Sequence, residues 1–194
     1  LMGDKTSETI FKDINELKEK SFEEIIVDRF APFIGKTKRE LASQFDVTIK
    51  DKNDKSSSAL LARKMLNISS DIQETDEFKK SGIAVKIVTY DSTKKHTYPK
   101  LKEGLKLQLP DGNYNVDPNE MLAVDWEESD VYNYLSTYKF LLVVFEKKNE
   151  ETIFKDAKFW YVPDEDLITV GQIWTKAKQI FEKGVELSYK SSNL

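Results

Sequence analysis

The 194-residue chain has no cysteine and a single histidine. The first absence removes disulfides, thiolate nucleophiles and the usual cysteine-rich zinc sites. The second leaves His96 as the one residue through which Ser-His-Asp chemistry can run, and it excludes multi-histidine metal sites. Arginine is scarce too, confined to Arg29, Arg39 and Arg63, so the basic side of the chain is almost entirely lysine. Long apolar runs are missing: the longest, Phe140 to Phe145, is far short of a bilayer span, and no charged-then-apolar signal segment opens the chain. A reduced, cytoplasmic setting away from membranes is expected. The chain opens at Leu1 rather than Met, as expected of a piece of something longer. Any chemistry is left to carboxylates and lysines.

What is present suits a folded domain. Hydrophobic residues make up 39% and are clustered, so the 33% of charged residues do not imply a disordered polyampholyte. Phe22, Ile25, Ile26 and Phe30 recur at helical spacing behind a cap at Ser7 or Ser21, and Pro32 and Gly35 bracket the end of that helix. Thr37 precedes a second helix carrying Leu41, Ala42 and Phe45. Serines 56 to 58 are expected to cap a third over Ala59–Leu66. From Gly82 the period becomes two, which predicts a strand over Gly82–Thr89. A polar loop from Asp91 to Pro99, an extended segment from Leu101 and a turn at Asp111-Gly112-Asn113 follow. A helix is expected over Trp126–Tyr138, then a hairpin of strands Lys139–Phe145 and Ile153–Tyr161, then a long amphipathic helix near Leu167–Glu182. The expected fold class is α/β, a mixed central sheet flanked by helices. It forms one domain over 1–194, with residues 1–34 as a helical lead-in.

Charge is unevenly placed. The net charge of −4 does not advertise nucleic-acid binding. Yet between Lys79 and Lys106 eight lysines face only Asp91 and Glu103, and from Asp111 to Asp130 seven acids meet no base. One interpretation is a set of solvated faces. The other is a phosphate-contacting loop bearing Lys94, Lys95, His96, Tyr98 and Lys100. His96 has no partners for a metal site and is expected to be an exposed contact residue. Trp126, Trp160 and Trp174 are expected in the core or at its rim rather than as a base-stacking platform. The acids from Asp125 to Asp130 suit a helix start better than a metal site.

The segment from Glu77 to Lys86 is the informative one. Metal-dependent nucleases of the restriction type place one acid at a strand end, then an acid and a lysine two residues apart on the next strand. Alternation sets that pair on one face, where two carboxylates hold magnesium and the lysine helps to activate water. Here Glu77 stands as the leading acid and Lys86 as the lysine, but the position two before Lys86 is Ala84, which has no ligating group. Lys86 is open to two roles, a vestigial-site or DNA contact and a structural ion pair with Glu77.

This run resembles the MutH family of GATC-specific endonucleases, whose pattern is Asp-Phe, a few residues, then Gly-Ile/Val-Glu-Leu-Lys-Thr. Gly35-Lys36-Thr37-Lys38-Arg39-Glu40-Leu41-Ala42 is similar to the family's Gly-x-Thr-x-x-Glu-Leu-Ala helix. Asp54-Lys55 with Leu60-Leu61 resembles its Asp-Lys-Gly segment and Leu-Leu-Glu helix, with Ala62 at the place of that glutamate. Asp125 to Asp130 and Lys139 to Phe145 are similar to later segments, so the shared order covers roughly Lys36 to Trp160. Within the family the resemblance is to the second, degenerate half of two-domain type II restriction endonucleases that cut at GATC. It implies a restriction-endonuclease-like fold and a non-catalytic domain that binds double-stranded DNA and regulates a catalytic N-terminal domain of the same polypeptide. Magnesium would then serve that other domain, with no cofactor or metal here. The vestigial site would be Glu77, Ala84, Lys86 and Ala62. Lys55 and Lys86 would join Lys94, Lys95, His96, Tyr98 and Lys100 as DNA contacts. A C-terminal DNA-reading segment would be missing after Leu194. Self-association is left open, as are two alternatives: an active magnesium nuclease with relocated carboxylates, and a plain dimerisation module.

Overall fold

Two capping boxes set the first helices. In the structure, a computed structural model that describes residues 8–11, 13–49, 55–93, 100–101 and 116–184, α1 spans Phe22–Phe30 and α2 spans Lys38–Gln44. Ser21 caps α1 reciprocally with Glu24, and Thr37 caps α2 reciprocally with Glu40, so each pair satisfies two backbone donors the helix leaves open. Between them the chain turns through Ala31–Phe33 and Gly35, whose φ of +86° is open to glycine. Gly35–Thr37 then pairs with the outer edge of the last strand: the Gly35 N–H donates to the Phe154 carbonyl at 2.8 Å, and Phe154 N–H returns to Lys36 at 2.9 Å.

The third helix corrects one expectation. Serines 56 to 58 do not cap it, because α3 already runs from Lys55 to Met65. Ser57 and Ser58 lie buried within it, and the buried Lys38 donates to the Ser57 hydroxyl at 3.2 Å. A tertiary partner thus overrides the local preference of serine for a helix end. After a turn at Ile72–Glu74, the short α4 (Asp76–Ser81) ends at Gly82 in the left-handed conformation, and β1 (Ile83–Asp91) begins at the next residue.

The sheet has the order β2-β1-β3-β4, where β2 is Lys100–Leu101, β3 Lys139–Lys148 and β4 Glu151–Trp160. β1 and β3 run parallel, and the β2–β1 and β3–β4 pairs are antiparallel, so the sheet is mixed as expected. Ile83, Leu141, Val143, Phe145, Phe154 and Ala157 turn inward to one core with α1, α2 and α3. The expected hairpin at 147–151 is present, with Asn149 at positive φ in its turn.

The chain packs as two compact units. The first holds the elements named so far, with Lys139–Trp160 closing its sheet. The second takes its described residues from 116–138 and 161–184. It contains α5 (Pro118–Ala123), a tight turn at Trp126–Glu128, α6 (Asp130–Thr137) and the 20-residue α7 (Asp164–Lys183). The helix expected over Trp126–Tyr138 is therefore split by Ser129, which accepts the Tyr132 N–H and donates to the Trp126 carbonyl. Trp126 and Trp174 meet at 5.7 Å between ring centroids and are buried, while Trp160, in the first unit, is half-buried. Among the described residues no helix is long and apolar enough to cross a membrane.

Candidate functional site

The site begins with how β1 is held. Gln73, just before α4, presents its amide to the strand: Nε2 donates to the Ile83 carbonyl at 2.9 Å and Oε1 accepts the Val85 N–H at 2.9 Å. One side chain thus substitutes for a neighbouring strand along the start of β1. Nothing in the sequence patterning marks Gln73, because its partners are backbone atoms ten and twelve residues away.

From that anchor the pleat assigns the faces. Ile83, Val85 and Ile87 go to the core side, and Ala84, Lys86 and Val88 share the other face. Lys86 is opposite Leu142 on β3, and Leu142 is opposite Lys158 on β4. Lys86 is half-buried, and that desolvation pushes its pKa below the ordinary lysine value. Among the described residues no carboxylate pairs with it, so the ion pair weighed for Glu77 and Lys86 is not formed.

Glu77 has other work. It lies on α4 rather than at a strand end, and its Oε1 accepts the N–H groups of Ile10 at 3.0 Å and Phe11 at 3.2 Å. The same segment is gripped by Arg29, which donates to the Ile10 carbonyl at 2.7 Å and stacks over the Phe11 ring. Glu8 completes the strap: hydrogen bonds from the Ser70 and then the Ser69 backbone lower its pKa to about 2. Ala84 is 8% exposed, and Ala62, on α3, is fully buried.

These residues do not fit a divalent cation. Ala84 and Ala62 offer no donor atom, Glu77 Oε1 is already engaged, and only Glu77 Oε2 is buried without a partner. One oxygen is too little for magnesium, which needs a near-octahedral oxygen shell. Among the described residues no three His, Cys, Asp or Glu side chains gather closely enough to hold a metal ion.

The basic segment is partly accounted for. Lys79 pairs with Glu74 at 2.7 Å and Lys80 with Asp76 at 3.4 Å, so acids just upstream of the lysine-rich window offset its first two charges. Lys100 lies in β2 opposite Asp91, and Lys55 opens α3, but their side chains lie outside the described residues. Lys94, Lys95, His96 and Tyr98 lie outside them as well. A second charged place, with both signs present, is absent from the sequence expectations. Lys38 and Arg39 line a cavity of about 560 Å³ with Ser43, Thr152 and two acids, Glu150 and Glu151. The Lys38 ammonium is also 5.6 Å from the centre of the Phe145 ring. A lysine just after a helix cap reads as solvated, so no sequence signal marks its burial.

No family model matches the chain. Along nearly its whole length, however, it is similar to part of a type II restriction enzyme. That enzyme is Sau3AI of Staphylococcus aureus, to which the chain is 31% identical over 201 aligned positions covering 96% of the chain. The chain spans only 38% of the enzyme's length, so it corresponds to one part of it.

Proposed function

We propose that the chain is a DNA-binding effector domain of a two-site type II restriction endonuclease, itself non-catalytic, with GATC as its recognised sequence. One observation carries this: Lys86 keeps its place on β1 while Ala84, two residues earlier on the same face, offers nothing to hold a cation. The engagement of Glu77 by the N-terminal strap supports the loss of catalysis. The similarity to a restriction enzyme over 96% of the chain supports DNA as the partner. The mixed sheet with helices around it is compatible with a restriction-endonuclease, MutH-like architecture. In this reading the chain acts in the cytoplasm beside the catalytic N-terminal domain of the same polypeptide, and magnesium serves that domain. Lys86 and the lysines of the 94–100 segment neutralise phosphate, and Lys55 adds a further contact.

The test is a titration of the purified chain against duplexes with and without GATC, in EDTA, calcium and magnesium. Salt-sensitive binding without cleavage is the expected outcome. Cleavage at GATC in millimolar magnesium, abolished by Lys86→Ala, would instead establish an active nuclease with relocated carboxylates. No binding to any duplex at low salt would leave a dimerisation module.

A further inference from the structure

Residues 8–11 are tied down by partners far away in sequence. The Glu8 carboxylate accepts the Ser70 N–H at 2.7 Å, and the Glu8 carbonyl accepts the Asp76 N–H at 3.2 Å. Ile10 is buried in the same core cluster as Ile72, Phe78 and Ile83. Arg29 of α1 adds an independent hold, through the Ile10 carbonyl and the Phe11 ring.

This strap is also what satisfies Glu77 among the described residues. Oε1 accepts the Ile10 and Phe11 N–H groups, and Oε2 is buried without a partner. If the strap lifts, a carboxylate on α4 is left with no donor, and such a group is costly to keep from water. Helix α4 must then shift to bring that carboxylate to solvent.

A shift of α4 reaches β1 directly. The Lys79 N–H donates to the Thr75 carbonyl at 3.0 Å, and the Thr75 hydroxyl donates to the Ile72 carbonyl at 2.8 Å. A fully buried threonine thus joins α4 to the Ile72–Glu74 turn. That turn carries Gln73, whose amide bonds Ile83 and Val85 and so brackets Ala84. Lys86 is the next residue along the strand.

We propose that the strap, Glu77 and Gln73 act as positioning residues for Lys86. Docking of residues 8–11 fixes α4, α4 fixes Gln73, and Gln73 fixes the start of β1. The two ends are linked, so whatever loosens the strap frees the strand, and a ligand that orders the strand tightens the strap. The ligand side of this coupling rests on the function proposed above, with duplex DNA contacting Lys86. The coupling of strap to strand stands without it.

Amide exchange in the full chain, followed by NMR, reads both ends. Ile10 and Phe11 report the strap, Val85 reports the Gln73 clamp, and Val143 in the buried middle of β3 reports the core. Among the described residues Arg29 bonds the strap and Glu16, not α4 or β1, so Arg29→Met acts on the strap alone. It should speed exchange at Ile10 and Phe11 about tenfold, the worth of one hydrogen bond to a charged group. Val85 should follow several-fold with Val143 unchanged, and the Lys86 side-chain resonances should move. Glu77→Ala should do the same, whereas Glu77→Gln, which keeps an acceptor oxygen, should stay close to the unaltered chain. Saturation with a GATC duplex in EDTA should slow exchange at Ile10 and Phe11 several-fold. A loosened strap with Val85 unchanged overturns the proposal, as does an equal rise at Val143, the mark of general destabilisation. A bound duplex that leaves strap exchange unaltered overturns the coupling to DNA. Failure to bind any duplex removes the DNA-binding function instead, and Val85 then decides the coupling by itself.

Discussion

Lys86 shows how one residue can be costly to the fold and retained on a sheet face. Its ammonium is half removed from water between apolar neighbours, with no described carboxylate to compensate it, and its pKa is lowered for that reason. Because the folded pKa lies below the unfolded one, the unfolded chain holds the proton more tightly. The penalty is therefore fully present below the folded pKa and is relieved as pH rises through the unfolded value of 10.5. Lys86→Met, similar in length and free of charge, is expected to raise the melting temperature at pH 7. The gain should shrink as the scan is repeated toward pH 10.5 and above. The same variant is expected to bind duplex DNA more weakly. A melting temperature that is unchanged or lower at pH 7 would mean that an ion pair compensates the ammonium. Glu77 teaches the opposite lesson. In sequence it stands where a metal ligand is expected, yet its spatial partners, Ile10 and Phe11, lie more than sixty positions away. No spacing rule reveals such a contact.

At the scale of elements, packing decides where local signals conflict. In the hairpin, Val144 is opposite Asp156 while Phe145 is opposite Phe154, so one residue, Lys155, is left over as a bulge. Without it, strict alternation from Ala157 would turn Lys155 inward. With it, Phe154 is fully buried and Lys155 pairs with Glu146 at 3.1 Å. In the second unit the determining contact is Gly171 of α7. A Cβ there would come within 2.6 Å of Trp126 Cδ1, on an indole already held by Tyr132 and Trp174. Gly171→Ala gains about 1 kcal/mol of helix propensity, while overpacking costs typically about 1–3 kcal/mol. A net loss of up to about 2 kcal/mol is expected from that difference, measured by denaturant unfolding followed by tryptophan fluorescence. A stabilised variant would mean that the indole yields freely. The strands and the capped helices were legible because their determinants are local: Ser21 with Glu24, Thr37 with Glu40, and the alternation after Gly82. The start of α3, the brief α4 and α5, and the bulge were not. Lys38 on Ser57, a six-residue helix read as the lead-in to a strand, and the burial of Phe154 are set by neighbours far away in sequence.

For the whole molecule, the net charge of −4 conceals a segregation that governs how a polyanion would approach. The window from Lys79 to Lys106 has eight lysines and two acids, an excess of six. Pairing of Lys79 with Glu74 and of Lys80 with Asp76 removes two of these from effective play, which leaves Lys86 and the lysines from Lys94 onward. The acidic run from Asp111 to Asp130 repels DNA, so approach should be directed to the lysine-rich side even though the net charge opposes it on average. If the 94–100 segment supplies phosphate contacts, each releases condensed counterions, and affinity falls with salt at a slope of about 0.9 per neutralised phosphate. Replacing Lys94, Lys95 and Lys100 together with alanine is expected to weaken binding to GATC and non-GATC duplexes alike, with the logarithmic salt slope reduced by about three units. Replacing Lys79 and Lys80 instead, whose charges are already paired, should change the slope by much less than two. Titrations at four or more salt concentrations separate these outcomes. A triple variant that keeps its nonspecific affinity but no longer discriminates GATC would assign base reading to this loop. Unchanged affinity and slope would show that the segment is a solvated surface, with the DNA-facing side elsewhere.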